Sequence, residues 1–358
     1  MRLRPRTLIL AIVLLIAFVI GQWFFFKSRF EAALPTFEAR AAALGFDIQY
    51  GSRSIGGFPF RLEALYKDVS LLRSNALLSL AVEADSAVLV RQLMRQDLTI
   101  LSIEKPRFAV SAAAPLPNGK SGEANLAFEA PAMQTSLRSE DEALARISTV
   151  VDLPRGRGTV FGLGAFSAKQ LQFHMNWPLE GRRAPEGQPA PRILIDSQFA
   201  DLLLEDRDTG PLPPKIAKGH IGLQINLPSY APLTNQGLRL WQLEGGSVDI
   251  LRLDGAWGDI MFGSTSGSVK LDDTLRPKGD ITVTVRGLAA LTYALDKTGV
   301  LPPDAEEFAL ITLRLMRAGK KAEDDVPLPI QINDGVIRLG PAPLVQLGPV
   351  VPFGLAER

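Results

Sequence analysis

The spacing of apolar and polar positions changes character twice along this chain. From Thr7 to Phe26 there is no alternation at all: TLILAIVLLIAFVIGQWFFF runs 20 residues without a charge. In a helix rising ~1.5 Å per residue that run covers roughly 30 Å, the thickness of a bilayer's hydrocarbon core. It predicts a transmembrane anchor that includes Leu8, Leu15, Phe18, Trp23 and Phe25, with residues 1–28 forming the tail and the single span. The tail MRLRPR is short and basic, and the far end carries Trp23 to Phe26 followed by Lys27 and Arg29. This places the short tail inside, with everything after the span translocated across the membrane. A cleaved secretory signal would have a shorter apolar region followed by a small-x-small site, and here bulky aromatics occupy that place.

Between residues 29 and 45 a helical spacing takes over, with Phe30, Leu34, Phe37, Ala41 and Leu44 on one stripe, Pro35 within it and Gly45 closing it. A juxtamembrane helix that packs onto the following domain is expected. Past Gly45 the period falls to two. Ile221, Leu223, Ile225 and Leu227 alternate with Gly222, Gln224 and Asn226; Leu171, Phe173 and Met175 alternate with Gln172 and His174; Ile281, Val283 and Val285 alternate with Thr282 and Thr284. Such segments are strands with one apolar face. Apolar stretches recur about every ten residues between Gly245 and Gly287, as in an antiparallel meander. Near 288–318 two helical patterns return, the second starting at Pro303 and ending at Gly319. Loops are expected from Ser111, Pro178, Asp206 and Gly319, and an extended edge segment in the proline-rich C-terminus. The fold class is therefore mainly β with a few helices. Residues 46–358 form an elongated, curved antiparallel sheet, as a trough or a sandwich, behind an N-terminal transmembrane helix.

Charge and composition remove several function classes. The 39 Lys and Arg residues balance 38 Asp and Glu, so no net field gathers nucleic acid. With no cysteine, thiolate catalysis, disulfides and cysteine-ligated metals are excluded. The only histidines, His174 and His220, sit on polar strand positions and are expected to be exposed. Asp208-Thr209-Gly210 has Arg207 where an aspartic-protease strand needs an apolar residue, and it reads as a surface turn. The glycines of GLGAFS (from Gly162) and GSTSG (from Gly263) fit turns or bulges better than a dinucleotide or nucleophile motif. Adjacent Asp272 and Asp273 cannot face each other on a strand. The expectation is no enzyme, no cofactor and no metal.

One hexapeptide stands outside all these periods: Gly56-Gly57-Phe58-Pro59-Phe60-Arg61. Its glycines permit a tight turn and Pro59 holds Phe58 extended, so it forms the turn into the first long strand, with Phe58 and Phe60 expected as core anchors. Gly57 to Arg61, together with LDGAWGDIMFGSTSGSVKLDDTLRPKGDITVTVRGL and DGVIRLGPAPLVQLGP, resembles the bacterial envelope family catalogued as domain of unknown function 2125. That resemblance implies an inner-membrane-anchored periplasmic protein and brings no catalytic residue with it. More loosely, an anchor followed by many amphipathic strands is similar to AsmA-like envelope proteins, whose strands form an apolar trough for lipids. The unbroken aliphatic ladders Ile221, Leu223, Ile225 and Ile281, Val283, Val285 suit a surface that solvates acyl chains, so these residues are expected to face lipid or another apolar ligand in envelope maintenance. The alternative is a scaffold for envelope proteins without a small ligand.

Overall fold

The computed structural model describes residues 5–43, 45–75, 77–92, 95–115, 121–140, 143–159, 163–177, 192–206, 209–226, 235–298, 303–321 and 323–350. The predicted loop at 178–191 and the side chain of Leu8 lie outside the described residues.

No break separates the anchor from the stripe that follows it: α1 is one helix, Pro5–Ala43, with Pro35 inside. The uncharged run and the amphipathic run share one continuous hydrogen-bond ladder. It is the one helix among the described residues long and apolar enough to cross a membrane. Leu15, Phe18, Phe24 and Phe25 are exposed on it, whereas Trp23, Phe30 and Leu34 are buried against the sheet. Glu38 near its end accepts a hydrogen bond from Arg53 Nη1 at 2.8 Å, which fixes the helix relative to the first strands.

The body is one antiparallel sheet, of twenty strands among the described residues, that curls into a barrel. Pairing follows chain order. Strands β1 (Phe46–Gln49) and β2 (Ser52–Gly56) lie end to end along β3 (Arg61–Ser74), and β3 pairs with β4 (Leu78–Gln92). The next passes are each split in two: β5 (Arg95–Glu104) with β6 (Arg107–Pro115), β7 (Ser121–Glu129) with β8 (Ala132–Glu140), β9 (Ala143–Asp152) with β10 (Arg155–Gly158), and β11 (Gly164–Ser167) with β12 (Gln170–Asn176). From β13 (Arg192–Leu204) the strands are whole again: β14 (Lys215–Asn226), β15 (Ser247–Trp257), β16 (Ile260–Leu271), β17 (Pro277–Arg286), β18 (Val326–Asn333), β19 (Val336–Leu339) and β20 (Ala342–Gln346). The meander expected between Gly245 and Gly287 is β15 to β17, and the proline-rich C-terminal segment is extended in β20. Strand β6 continues past Ser111 to Pro115 and β7 starts at Ser121, so both ends of the loop expected from Ser111 are strand, and residues 116–120 lie outside the described residues.

The splits line up as a crease. At Lys105-Pro106, Pro131 and Leu153-Pro154 a proline removes a ladder donor, and Asp68, Lys105, Leu153 and Asp201 take left-handed φ between 47° and 53°. The ladder steps over the break through Lys105 N to Pro131 O at 3.0 Å and Ala168 N to Pro154 O at 3.0 Å. Each extra residue bends the strand, and it also shifts the side-chain parity so that the apolar face stays on one side. Phe199 and Leu202 flank Asp201, and both pack in the same cluster with Phe166 and Leu204.

Three helices close parts of that apolar face. At one end α2 (Asn235–Leu243), absent from the sequence reading, packs Leu238 and Trp241 with Leu77 of the β3–β4 turn and Leu275 of the β16–β17 turn. Early and late strands meet there, which is how the sheet comes to curl. Elsewhere α3 (Leu288–Thr298) and α4 (Pro303–Arg317) cover β16 to β20 around Val285, Leu313, Val326 and Leu328.

Candidate functional site: an apolar inner wall and its membrane end

The inner face is continuous in register. Ile221, Leu223 and Ile225 of β14 stand opposite Ser197, Ile195 and Ile193 of β13, and Ile281, Val283 and Val285 of β17 stand opposite Ile330, Leu328 and Val326 of β18. The six residues singled out in β14 and β17 therefore belong to one wall, but not to one environment. Val285 is 3% exposed beneath α3 and α4, and Ile225 packs near α2. Ile221, Leu223 and Ile281, between those caps, stay half-buried although they face inward. Gly219 keeps the wall smooth beside them, since a Cβ there would stand 2.3 Å from the Phe199 ring.

At its other edge the wall runs to α1. Leu62 and Ala64 of β3 are buried under Trp23, Phe30 and Leu34, with Ile55, Tyr66 and Leu89 around them. Burial pushes the Tyr66 phenol above its ordinary value, against a hydrogen bond with Arg53. The Gly56–Arg61 turn sits here. Gly57 has φ 97°, and a Cβ on it would meet the Arg61 carbonyl at 2.7 Å, so no other residue fits the turn. Trp23, grouped with the anchor by sequence, instead donates its Nε1–H to Arg61 O at 3.2 Å and packs edge-on to Phe58 with centroids 5.4 Å apart. The expectation that Phe58 and Phe60 anchor the core is overturned: they are 54% and 79% exposed. The turn is pinned through its backbone to the helix, which points its rings outward.

Above the turn, Phe26, Phe30 and Leu62 floor a cleft of about 150 Å³ whose polar lining is Arg29, Arg91 and Gln92. The Arg29 guanidinium lies 4.7 Å over the Phe25 ring.

The outer face carries the polar half of the alternation, and there the histidines need correction. His174 stands across from Asp196, while His220 is 14% exposed on its side chain and donates to Asp196 Oδ2 at 2.5 Å. Burial works against the Asp196 carboxylate, yet hydrogen bonds from His220 and Gln198 hold it below the usual range. Sequence separation hid this cluster, because only the β12–β13–β14 register brings 174, 196 and 220 together. Among the described residues no group of three or more His, Asp or Glu side chains is arranged to hold a metal ion. Thr209 bonds Leu212 O at 2.7 Å, and Asp272 accepts from Thr274 and Arg276 amides; both are turn-forming residues. The GSTSG segment lies in β16, with a bulge between Ser264 and Ser266.

No curated protein matches this chain. The model of the family described as "Uncharacterized protein conserved in bacteria (DUF2125)" matches residues 23–348, from the tryptophan that pins the turn to the end of the last strand. The match covers the whole barrel, and the chain belongs to that family.

Proposed function

We propose that this protein is a membrane-anchored lipid binder of the bacterial envelope. In this reading α1 spans the inner membrane, the barrel stands in the periplasm, and the inner wall holds the acyl chains of a lipid or another apolar ligand without covalent chemistry. The observation that supports it is the half-burial of Ile221, Leu223 and Ile281: aliphatic residues on the inward face of a curled sheet, between two helical caps, that no side chain fully covers. Apolar surface in that position is stabilised by an apolar occupant.

The test uses the full chain in phospholipid nanodiscs with a phosphatidylethanolamine carrying a diazirine near the acyl terminus. After irradiation, adducts are expected on Leu223 and Ile281 as well as on α1. Adducts confined to α1 would sink the binder and leave the scaffold for envelope proteins as the better account.

A further inference from the structure

We propose that the Gly56–Arg61 turn is seated in the outer leaflet of the membrane that α1 crosses, and that Arg29 and Arg91 above it hold the phosphate of a phospholipid headgroup at the mouth of the inner wall. The proposal rests on α1 as a membrane span and deepens the lipid-binding reading.

Depth follows from helix geometry. Lys27 is the first charge after the apolar run, so the water boundary lies near it. Trp23 is one turn earlier, roughly 6 Å deeper into the apolar layer at ~1.5 Å per residue. The turn is fastened at that depth by the Trp23 hydrogen bond to Arg61 O and by the Trp23–Phe58 contact. Phe58 is therefore held against Trp23, whose ring also meets the exposed Phe24 edge-on at 5.1 Å, and the 79% exposed Phe60 belongs to the same turn. A single exposed phenylalanine needs no explanation, but Phe24 and Phe25 at the end of a span, with Phe58 and Phe60 on a turn fastened to it through Trp23, make the aromatic belt that prefers the headgroup boundary. A turn projecting into water would leave all of them hydrated.

The cleft lies one to two turns further out. Arg29 comes two residues after Lys27, and Arg91 is the cross-strand partner of Leu62, which floors the cleft. Two guanidiniums over an apolar floor, with no carboxylate among the described lining residues, match a phosphate ester attached to methylenes; Gln92 adds a neutral amide. The volume of about 150 Å³ takes a headgroup phosphate and the first carbons, not a whole lipid. Because Leu62 and Ala64 are already covered by α1, the acyl chains run back into the leaflet beside the exposed phenylalanines.

Because the chain has no cysteine, depth can be read from single reporters. Phe60→Cys and Leu243→Cys, each bearing a bimane label, go into full-length protein in phosphatidylglycerol nanodiscs. Leu243 is 73% exposed at the end of α2, beside the opposite end of β3 and β4. The label at 60 is expected to be quenched by a shallow doxyl lipid and to be about ten-fold less accessible to iodide than the label at 243. Equal accessibility to iodide overturns the membrane seat. For the headgroup, native mass spectrometry of wild type should show one retained phosphatidylglycerol that Arg29→Gln reduces several-fold. Arg29 is exposed, so that variant keeps the fold; Arg91→Gln is the second variant. Inorganic phosphate at millimolar concentration should leave the lipid bound. Displacement by phosphate, or equal retention in both variants, overturns the headgroup site. A shallow label at 60 with no acyl adducts on Leu223 or Ile281 keeps the seat and removes the inner-wall binder, so the two readings fail separately.

Discussion

The β16–β20 end of the inner wall and the stretch around β14 carry the same kinds of residue in the same alternation, yet they are in different physical states. Under α3 and α4, Leu313 is 1% exposed and Val285 3%, with Leu288, Val326 and Leu328 buried around them. Around β14, Ile221 and Leu223 face inward and remain half-buried. What separates the two is a pair of helices laid on one and not on the other. An amphipathic strand specifies that one face leaves water, and it leaves open whether protein or an apolar ligand takes water's place.

That contrast can be tested by mutation. The largest effect should come from Leu313→Ala, which empties a packed site and is expected to cost about 2–5 kcal/mol, against less than about 1.5 kcal/mol for Leu223→Ala. Urea unfolding followed by the fluorescence of the four tryptophans measures both, and equal costs would mean that the β14 wall is packed core after all. A polar substitution makes the distinction sharper. Val285→Asn should destabilise by about 1–3 kcal/mol because its amide has no partner under the helices. Leu223→Gln should leave the unfolding midpoint close to wild type while lowering the acyl-photoadduct yield. A Leu223→Gln protein that binds lipid normally would count against the wall as the site.

The smallest effect belongs to the outer face, where Asp196 is held below its ordinary carboxylate value despite partial burial. A depressed folded value means that its contribution is present above the unfolded pKa of about 4 and is lost as pH falls through the folded value. Asp196→Asn should therefore lower stability slightly at pH 7, by less than about 1 kcal/mol because the carboxylate is partly exposed, and should converge with wild type in acid. Thermal melts at pH 7 and pH 3 decide it; a difference that persists at pH 3 would mean that the His220 contact matters through shape rather than charge.

Local signals in the chain were enough for the strands β14 and β17, the helices α3 and α4 and the apolar run of α1, each of which announces itself within about ten to twenty consecutive residues. Helix α2 escaped because Leu238 and Trp241 are the only large apolar side chains buried among its described residues, too few to set a period. The crease at Lys105-Pro106 and Leu153-Pro154 was invisible as a line, since its members lie on separate strands and meet only through the pairing register. Phe58 and Phe60 point outward although large aromatic side chains are mostly buried, because the turn is fastened to Trp23 through the Arg61 carbonyl, a contact 38 positions apart that no local pattern shows.

Periodicity and composition alone determined the mainly β class, the single apolar helix and the lack of thiol chemistry, because each depends on near neighbours or on counts. Tertiary structure decided which part of the apolar face is covered, where the turn after β2 is pinned, and that Asp196 stands between two histidines. Those outcomes depend on contacts between residues distant in sequence, and a pattern with a period of two repeats identically whether its apolar side meets a helix, another strand or a lipid chain.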